Sequence, residues 1–193
     1  AAVDEAVKNV ITLGNMSTLN CPEEVWLAEK LVEMHDWAEM VRFARTGGEA
    51  NSIAIRIAKA ATGRDKVAIC GYHLWHDWDL DTNLKSDDEL KDHLLPSLKA
   101  KGLSNSLEGT TIHFKYNNFE EIKEIVSKNK LAAIKMEVQR SFYPKEGFLE
   151  AIRKICYQEG IVLIFDESTT GFRETFGGLH KKYNVQPDIA IFG

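Results

Sequence analysis

Ile161-Val162-Leu163-Ile164-Phe165-Asp166-Glu167-Ser168 is the stretch that decides the fold. An unbroken apolar run rich in β-branched residues reads as a strand buried on both faces, because a strand with one wet face would alternate. Gly160 stands before it and caps a helix expected over 146–159, with Phe148, Leu149, Ile152 and Ile155 inward. A carboxylate directly after a buried strand is costly unless it meets a cation or strong donors. Asp166 is therefore a candidate site residue. It reads as a metal ligand, as the partner of a protonated ring nitrogen, or as a cap for the next element. Glu167 reads as structural, bonded to a neighbouring loop or a helix end.

Working outward, the same pattern recurs. Lys66-Val67-Ala68-Ile69-Cys70, Thr111-Ile112-His113-Phe114, Leu131-Ala132-Ala133-Ile134-Lys135-Met136 and Ile189-Ala190-Ile191-Phe192 read as strands, and Met40-Val41-Arg42-Phe43-Ala44 as a short extended run. Helices are expected over 2–12, 22–35, 49–61 and 118–129. Val3, Val7, Val10 and Ile11 share one side of the first, and Val25, Leu27, Ala28, Leu31 and Val32 form the stripe of the second. Ile53, Ile57 and Ala60 are the expected inner face of the third, which Thr62-Gly63 ends. Residues 76–110 are polar and read as an excursion containing a short helix. Short apolar strands alternating with helices imply an α/β chain, a three-layer αβα sandwich with a mostly parallel central sheet covered on both faces.

Composition agrees. The chain has 193 residues and a mass of 21.8 kDa, enough for one sizeable core. Hydrophobic residues at 44% and charged residues at 27% are globular values, which exclude disorder as the default. The 24 Lys+Arg against 29 Asp+Glu leave a net charge of -5 and no basic tract, so neither nucleic acid nor anionic membrane is the expected partner. Cys21, Cys70 and Cys156 are odd in number and far apart. They make no disulfide framework and suit a reducing, cytoplasmic setting. No apolar run approaches the ~18–20 residues of a membrane span. Ala1-Ala2-Val3-Asp4-Glu5 has no signal-peptide pattern, and the chain is expected to be a piece of a longer protein.

In parallel sheets ligands bind beyond the carboxyl ends of the strands. The residues there are Arg45-Thr46-Gly47-Gly48, Gly71-Tyr72-His73, Glu137 and Gln139, and Asp166-Glu167-Ser168. Glycines opening a helix let backbone N–H groups approach an anion, and the helix dipole favours negative charge there, so a phosphate fits. An ordinary tight loop fits that segment equally well. Tyr72 can stack on a flat ligand or be a core aromatic at the sheet edge. His73, His76 and Asp77 form an HxxHD pattern beside Trp75 and Trp78. It reads either as part of a metal site or, more simply, as an amphipathic loop packed on the domain, and we assign no metal to it.

Together Phe43-Ala44-Arg45-Thr46-Gly47-Gly48-Glu49-Ala50, Gly71-Tyr72-His73-Leu74-Trp75-His76-Asp77-Trp78, Gly147-Phe148-Leu149-Glu150 and Phe165-Asp166-Glu167-Ser168-Thr169-Thr170-Gly171-Phe172-Arg173, followed by Pro187-Asp188-Ile189-Ala190-Ile191-Phe192-Gly193, resemble the class III aminotransferases. These are fold type I enzymes that use pyridoxal 5'-phosphate. The subgroup most resembled is that of the glutamate-1-semialdehyde aminomutases and their aminotransferase relatives.

The resemblance implies transfer of an amino group between an amino donor and a carbonyl acceptor, or the intramolecular shift of an aminomutase, by a homodimer. It implies that Asp166 pairs with the ring nitrogen, that Tyr72, with His73 beside it, stacks on the ring, and that Thr46, Gly47 and Gly48 hold the phosphate. Gln139 or Glu137 would reach the phenolic oxygen or the substrate, and Ser168 would lie on the ring face opposite Tyr72. The family's Schiff-base lysine would come directly after Gly193. Residues 1–193 would thus be an incomplete large domain, without the preceding segment, the lysine region or the C-terminal small domain. Gly48 stands where the family usually has a hydroxyl residue, and Ser168 where it usually has Val. The family's Met-Glu-Pro-Val appears as Met136-Glu137-Val138-Gln139. Two other readings remain: a non-catalytic degenerate relative or assembly module, and a metal-dependent hydrolase using His73, His76, Asp77 and Asp166.

Overall fold

The five apolar runs read as strands pair in one sheet. The computed structural model describes residues 2–14, 21–71, 76, 78, 102–139 and 141–193. It divides into two units, Ala1–Arg42 and Phe43–Gly193.

The first unit contains α1 (Ala2–Leu13) and α2 (Pro22–Met34). Pro22 opens α2, where its missing N–H costs nothing, and Glu23 and Glu24 complement the positive end of the helix dipole. At its end the His35 N–H donates to the Val32 carbonyl, and the His35 ring meets the Leu31 carbonyl at 2.7 Å.

The second unit is an α/β domain. Its elements are α3 (Gly47–Thr62), β1 (Lys66–Cys70), β2 (Thr111–His113), α4 (Phe119–Lys128), β3 (Leu131–Glu137), α5 (Phe148–Glu159), β4 (Val162–Glu167), α6 (His180–Tyr183) and β5 (Ile189–Phe192). The described strands form one sheet of order β2-β1-β3-β4-β5, and every pair is parallel. Side chains alternate between its faces. Val67, Ile69, Ala133, Ile164 and Ile191 pack against Ala54, Ile55 and Ala58 of α3. On the other face Ala68, Cys70, Ile134, Met136, Leu163 and Phe165 pack with Ile122 of α4 and with Phe148, Leu149, Ile152 and Cys156 of α5. The result is the expected three-layer arrangement.

Polar devices fix the edges. The Arg64 guanidinium donates to the carbonyls of Leu131 (2.8 Å), Glu159 (3.0 Å) and Gly160 (3.2 Å), tying the end of α3 to the start of β3 and the end of α5. Asp188 accepts from the Leu163 N–H at 2.7 Å and from Arg153 at 2.8 Å, which sets the register of β5 against β4.

Two expectations are corrected. Residues 40–44 belong to no strand; Met40 is 87% exposed, and the run lacks a neighbouring strand among the described residues. On α3 the buried face is Gly48, Asn51, Ala54, Ile55 and Ala58, whereas Ile57 is 49% exposed and Ala60 is exposed. Small residues bring the helix close to the sheet, and the larger isoleucine is turned off that line. Of residues 76–110, where a short helix is expected, only 76, 78 and 102–110 are described, and they include a short 3-10 helix over Asn105–Leu107.

Burial pushes the thiols of Cys70 and Cys156 up from 9.0 to about 12, because a thiolate there would lose its water. Between those values the unfolded chain has lost protons that the native chain keeps. Native stability is therefore full below about pH 9 and falls as pH rises, by about 1.4 kcal/mol per pH unit for each thiol. Denaturant titrations from pH 8 to 11 are expected to show that loss. In the Cys70→Ala/Cys156→Ala variant the loss should be much smaller, the remainder coming from other groups.

Candidate functional site

Asp166 lies on the α3 face of the sheet, two residues beyond Ile164 on β4. Lys135 on β3 lies on the same face, two residues beyond Ala133. Its side chain is 0% exposed, and its ammonium meets Asp166 Oδ2 at 3.1 Å. Asn51, on the buried line of α3, donates to the same oxygen at 3.0 Å and to the Gly47 carbonyl at 2.7 Å. Asp166 Oδ1 accepts from the Ser168 N–H at 3.1 Å. A lysine this deep survives only in company, because an uncompensated buried charge costs several kcal/mol. The Trp78 ring lies 6.0 Å from its ammonium, and Trp78 Nε1 donates to Ser52 on α3 at 3.0 Å.

The start of α3 adjoins this carboxylate through Asn51. Thr46 is the N-cap, and its hydroxyl accepts from the Glu49 N–H at 3.2 Å. The Glu49 carboxylate reaches back to the Arg45 N–H at 2.7 Å. Gly47 and Gly48 fall in the first turn, where N–H groups have no acceptor within the helix. Gly48 is buried, and any Cβ there would overlap the His76 imidazole.

Glu167 points the other way and organises the following loop. It is 0% exposed and accepts from the N–H groups of Leu179 and His180, from the His180 ring at 2.5 Å, and from Thr170 at 3.3 Å. Gly171 and Gly178 are required there. A Cβ at Gly171 would stand 2.7 Å from Phe192 and 2.8 Å from the Glu167 carbonyl, and one at Gly178 would overlap His180 and Glu167. The clamp fixes where the chain leaves β4, and so where Ser168 stands. Gly193, after β5, closes on Ser168: a Cβ there would be 3.3 Å from the Ser168 carbonyl.

The structure therefore gathers Thr46, Gly47, Gly48, Asp166 and Ser168 at one end of the sheet. Glu137 is the register partner of Asp166. Gln139 is engaged elsewhere, accepting from the Tyr183 hydroxyl at 3.0 Å, and Tyr183 packs on the α4/α5 side. Tyr72, His73 and Asp77 lie outside the described residues. Among the described residues no group of three or more His, Cys, Asp or Glu could hold a metal ion, and no helix is long and apolar enough to cross a membrane. Lys135 and Asn51 escaped the sequence reading. The signal for Lys135 was present: a charge inside an apolar strand demands a counter-charge, as does Asp166.

A carboxylate at a strand end beside a glycine-opened helix is an anion-and-cation site on an α/β sheet. Comparison places it in a family. The aminotransferase class-III profile matches residues 1–193, and the chain belongs to that family. It is 38% identical over 202 residues to the glutamate-1-semialdehyde 2,1-aminomutase of Methanocaldococcus jannaschii, covering 100% of this chain and 46% of that protein. It is 34% identical over 203 residues to the 3-aminobutyryl-CoA aminotransferase of Cloacimonas acidaminovorans, covering 99% and 44%. A solved transaminase with PLP bound superposes with a TM-score of 0.83 at 25% identity, covering 98% of this chain and 45% of that one. The chain thus spans less than half the length of these relatives.

The ion pair makes Asp166→Ala a stability variant as well as a site variant, since it removes a buried counter-charge from Lys135. It is expected to destabilise the cofactor-free protein by about 3–5 kcal/mol in urea unfolding. Adding Lys135→Met should recover most of that loss; an additive double variant would show that the two charges do not interact.

Proposed function

We propose that this chain is the cofactor-binding part of a larger pyridoxal 5'-phosphate enzyme that transfers or shifts an amino group. The observation that carries the reading is Asp166, a carboxylate held by three donors at the end of β4, with the first turn of α3 joined to it through Asn51. The fit to the cofactor has its own support. Ser168 Oγ and Asn51 Oδ1 are buried without a hydrogen-bond partner, and both belong to residues bonded to Asp166. A polar ligand at the site would relieve an unusual deficit.

Bound there, pyridoxal 5'-phosphate supplies an electron sink for a carbanion beside its ring. Asp166 accepts the ring N–H. Thr46, Gly47 and Gly48 hold the phosphate with backbone N–H groups and the dipole of α3. By the resemblance, Ser168 would support one ring face and Tyr72, next to His73 in the sequence, the other. Gln139 or Glu137 would reach the phenolic oxygen or the substrate; in the structure Gln139 is held by Tyr183. The catalytic lysine, the small domain and the preceding segment are supplied by parts of the enzyme outside residues 1–193, in keeping with the 44% and 46% coverage of the relatives. The enzyme is a homodimer of the cytoplasm; the free Cys21, Cys70 and Cys156 favour a reducing compartment. Its substrates are a small amino donor and a carbonyl acceptor.

The test is made on the full-length protein. It should bind pyridoxal 5'-phosphate, seen as a new absorption band, and transfer an amino group. Asp166→Asn keeps the shape of the side chain and should lower the rate by about a hundredfold or more. Activity unchanged in Asp166→Asn would remove the ring-nitrogen role, and failure of the wild-type protein to bind the cofactor would remove the whole reading.

A further inference from the structure

Lys135 is the charged residue that the proposed chemistry does not use. Packing alone does not call for a lysine on β3, since a buried ion pair replaced as a whole by apolar groups often loses no stability. Its neighbours along the strand are apolar, with Ala133, Ile134 and Met136 0% exposed. Yet its ammonium is directed at the one carboxylate assigned to the ring nitrogen, 3.1 Å from Oδ2.

We propose that Lys135 competes with the cofactor's ring nitrogen for Asp166, and so holds that nitrogen less strongly protonated than an unshared carboxylate would. The inference rests on the pyridoxal phosphate reading above and deepens it. A protonated ring nitrogen on Asp166 would place two cations on one carboxylate. Water cannot screen the first, because Lys135 is fully buried. Like charges sharing a site disfavour each other's charged form. Of the described groups close to Asp166, Lys135 is the cation in direct contact with it. Asn51 from α3 and the Ser168 N–H are neutral donors, and Ile191 of β5 is apolar. Trp78 offers Lys135 only a ring face, at 6.0 Å. Glu137, Asp166's register partner, is also ionisable and is half-buried. His76 lies against Gly48, at the start of α3. The sequence therefore sets the electron-withdrawing power of the ring with a lysine beneath the carboxylate.

The test uses the full-length protein and pyridoxamine 5'-phosphate labelled isotopically at the ring nitrogen. This probe needs no lysine to bind. Nuclear magnetic resonance follows the nitrogen's protonation against pH in the wild type, in Lys135→Met and in Lys135→Gln. The midpoint is expected to rise by about one pH unit or more in both variants. Lys135→Gln keeps a donor to Asp166 without the charge, and it carries the test if Lys135→Met does not fold. Equal midpoints, or a lower midpoint in the variants, would overturn the proposal. A rise in Lys135→Met alone, with Lys135→Gln titrating as wild type, would also overturn it, because a hydrogen bond and not the charge would then be responsible. If the wild type binds the probe, only the role of Lys135 is at stake; if it does not, the cofactor reading falls and this proposal with it.

Discussion

An ammonium sealed between a parallel sheet and the helix above it needs a counter-charge, and Asp166 provides it. The pair joins β3 to β4, and Asn51 joins both to α3. Three separate segments of the chain are thereby fixed around one carboxylate. Apolar packing brings α3 onto the sheet, but packing alone is non-directional. The Asn51 bond adds direction, since it is made only when Ala54, Ile55 and Ala58 also face the strands. The arrangement that satisfies the buried charge therefore also sets the rotation of the helix whose first turn is proposed to receive a phosphate.

Glu167 does the corresponding work on the opposite face. Adjacent residues of a strand point to opposite sides, so Asp166 turns to the α3 side while Glu167 clamps the following loop. The clamp holds its loop by backbone N–H groups rather than by apolar contact. That choice keeps the loop's glycines close: Gly171 and Gly178 leave no room for side chains. Ser168, between the strand and the clamped loop, has little freedom to move.

The strands were legible because each is a short apolar run ended by a polar residue or glycine, and a fully buried parallel strand has no other signature. The run at 40–44 shows the limit of that rule: an apolar segment becomes a strand only if a neighbour pairs with it. The face of α3 was misread for a related reason. Ile53, Ile57 and Ala60 form a helical stripe as readily as Ala54, Ile55 and Ala58, and contact with the sheet selects the second set. The anchoring part of Glu167 could be read from its position, and Asp166 could be singled out as a costly carboxylate at a buried strand end. The partner of Asp166 could not, because the meeting of Lys135 and Asp166 depends on strand register, which no local pattern specifies. Gln139 was placed near the site by sequence adjacency to β3, yet beyond the strand end adjacency no longer fixes direction, and Tyr183 holds it.

Gly48 shows how a departure from a family pattern can have a local cause. The resemblance puts a hydroxyl residue there, and its absence looks at first like a weakened phosphate site. In the structure the His76 imidazole occupies the space where a Cβ would stand. A side chain at 48 and His76 in this place are mutually exclusive, so the glycine is a condition of the histidine's position. What the helix start loses is one hydroxyl donor; it keeps the backbone N–H groups of the first turn and gains a closely packed ring. Whether a substitution weakens a site thus depends on what fills the volume it vacates, and here that volume holds a side chain able to donate a hydrogen bond of its own.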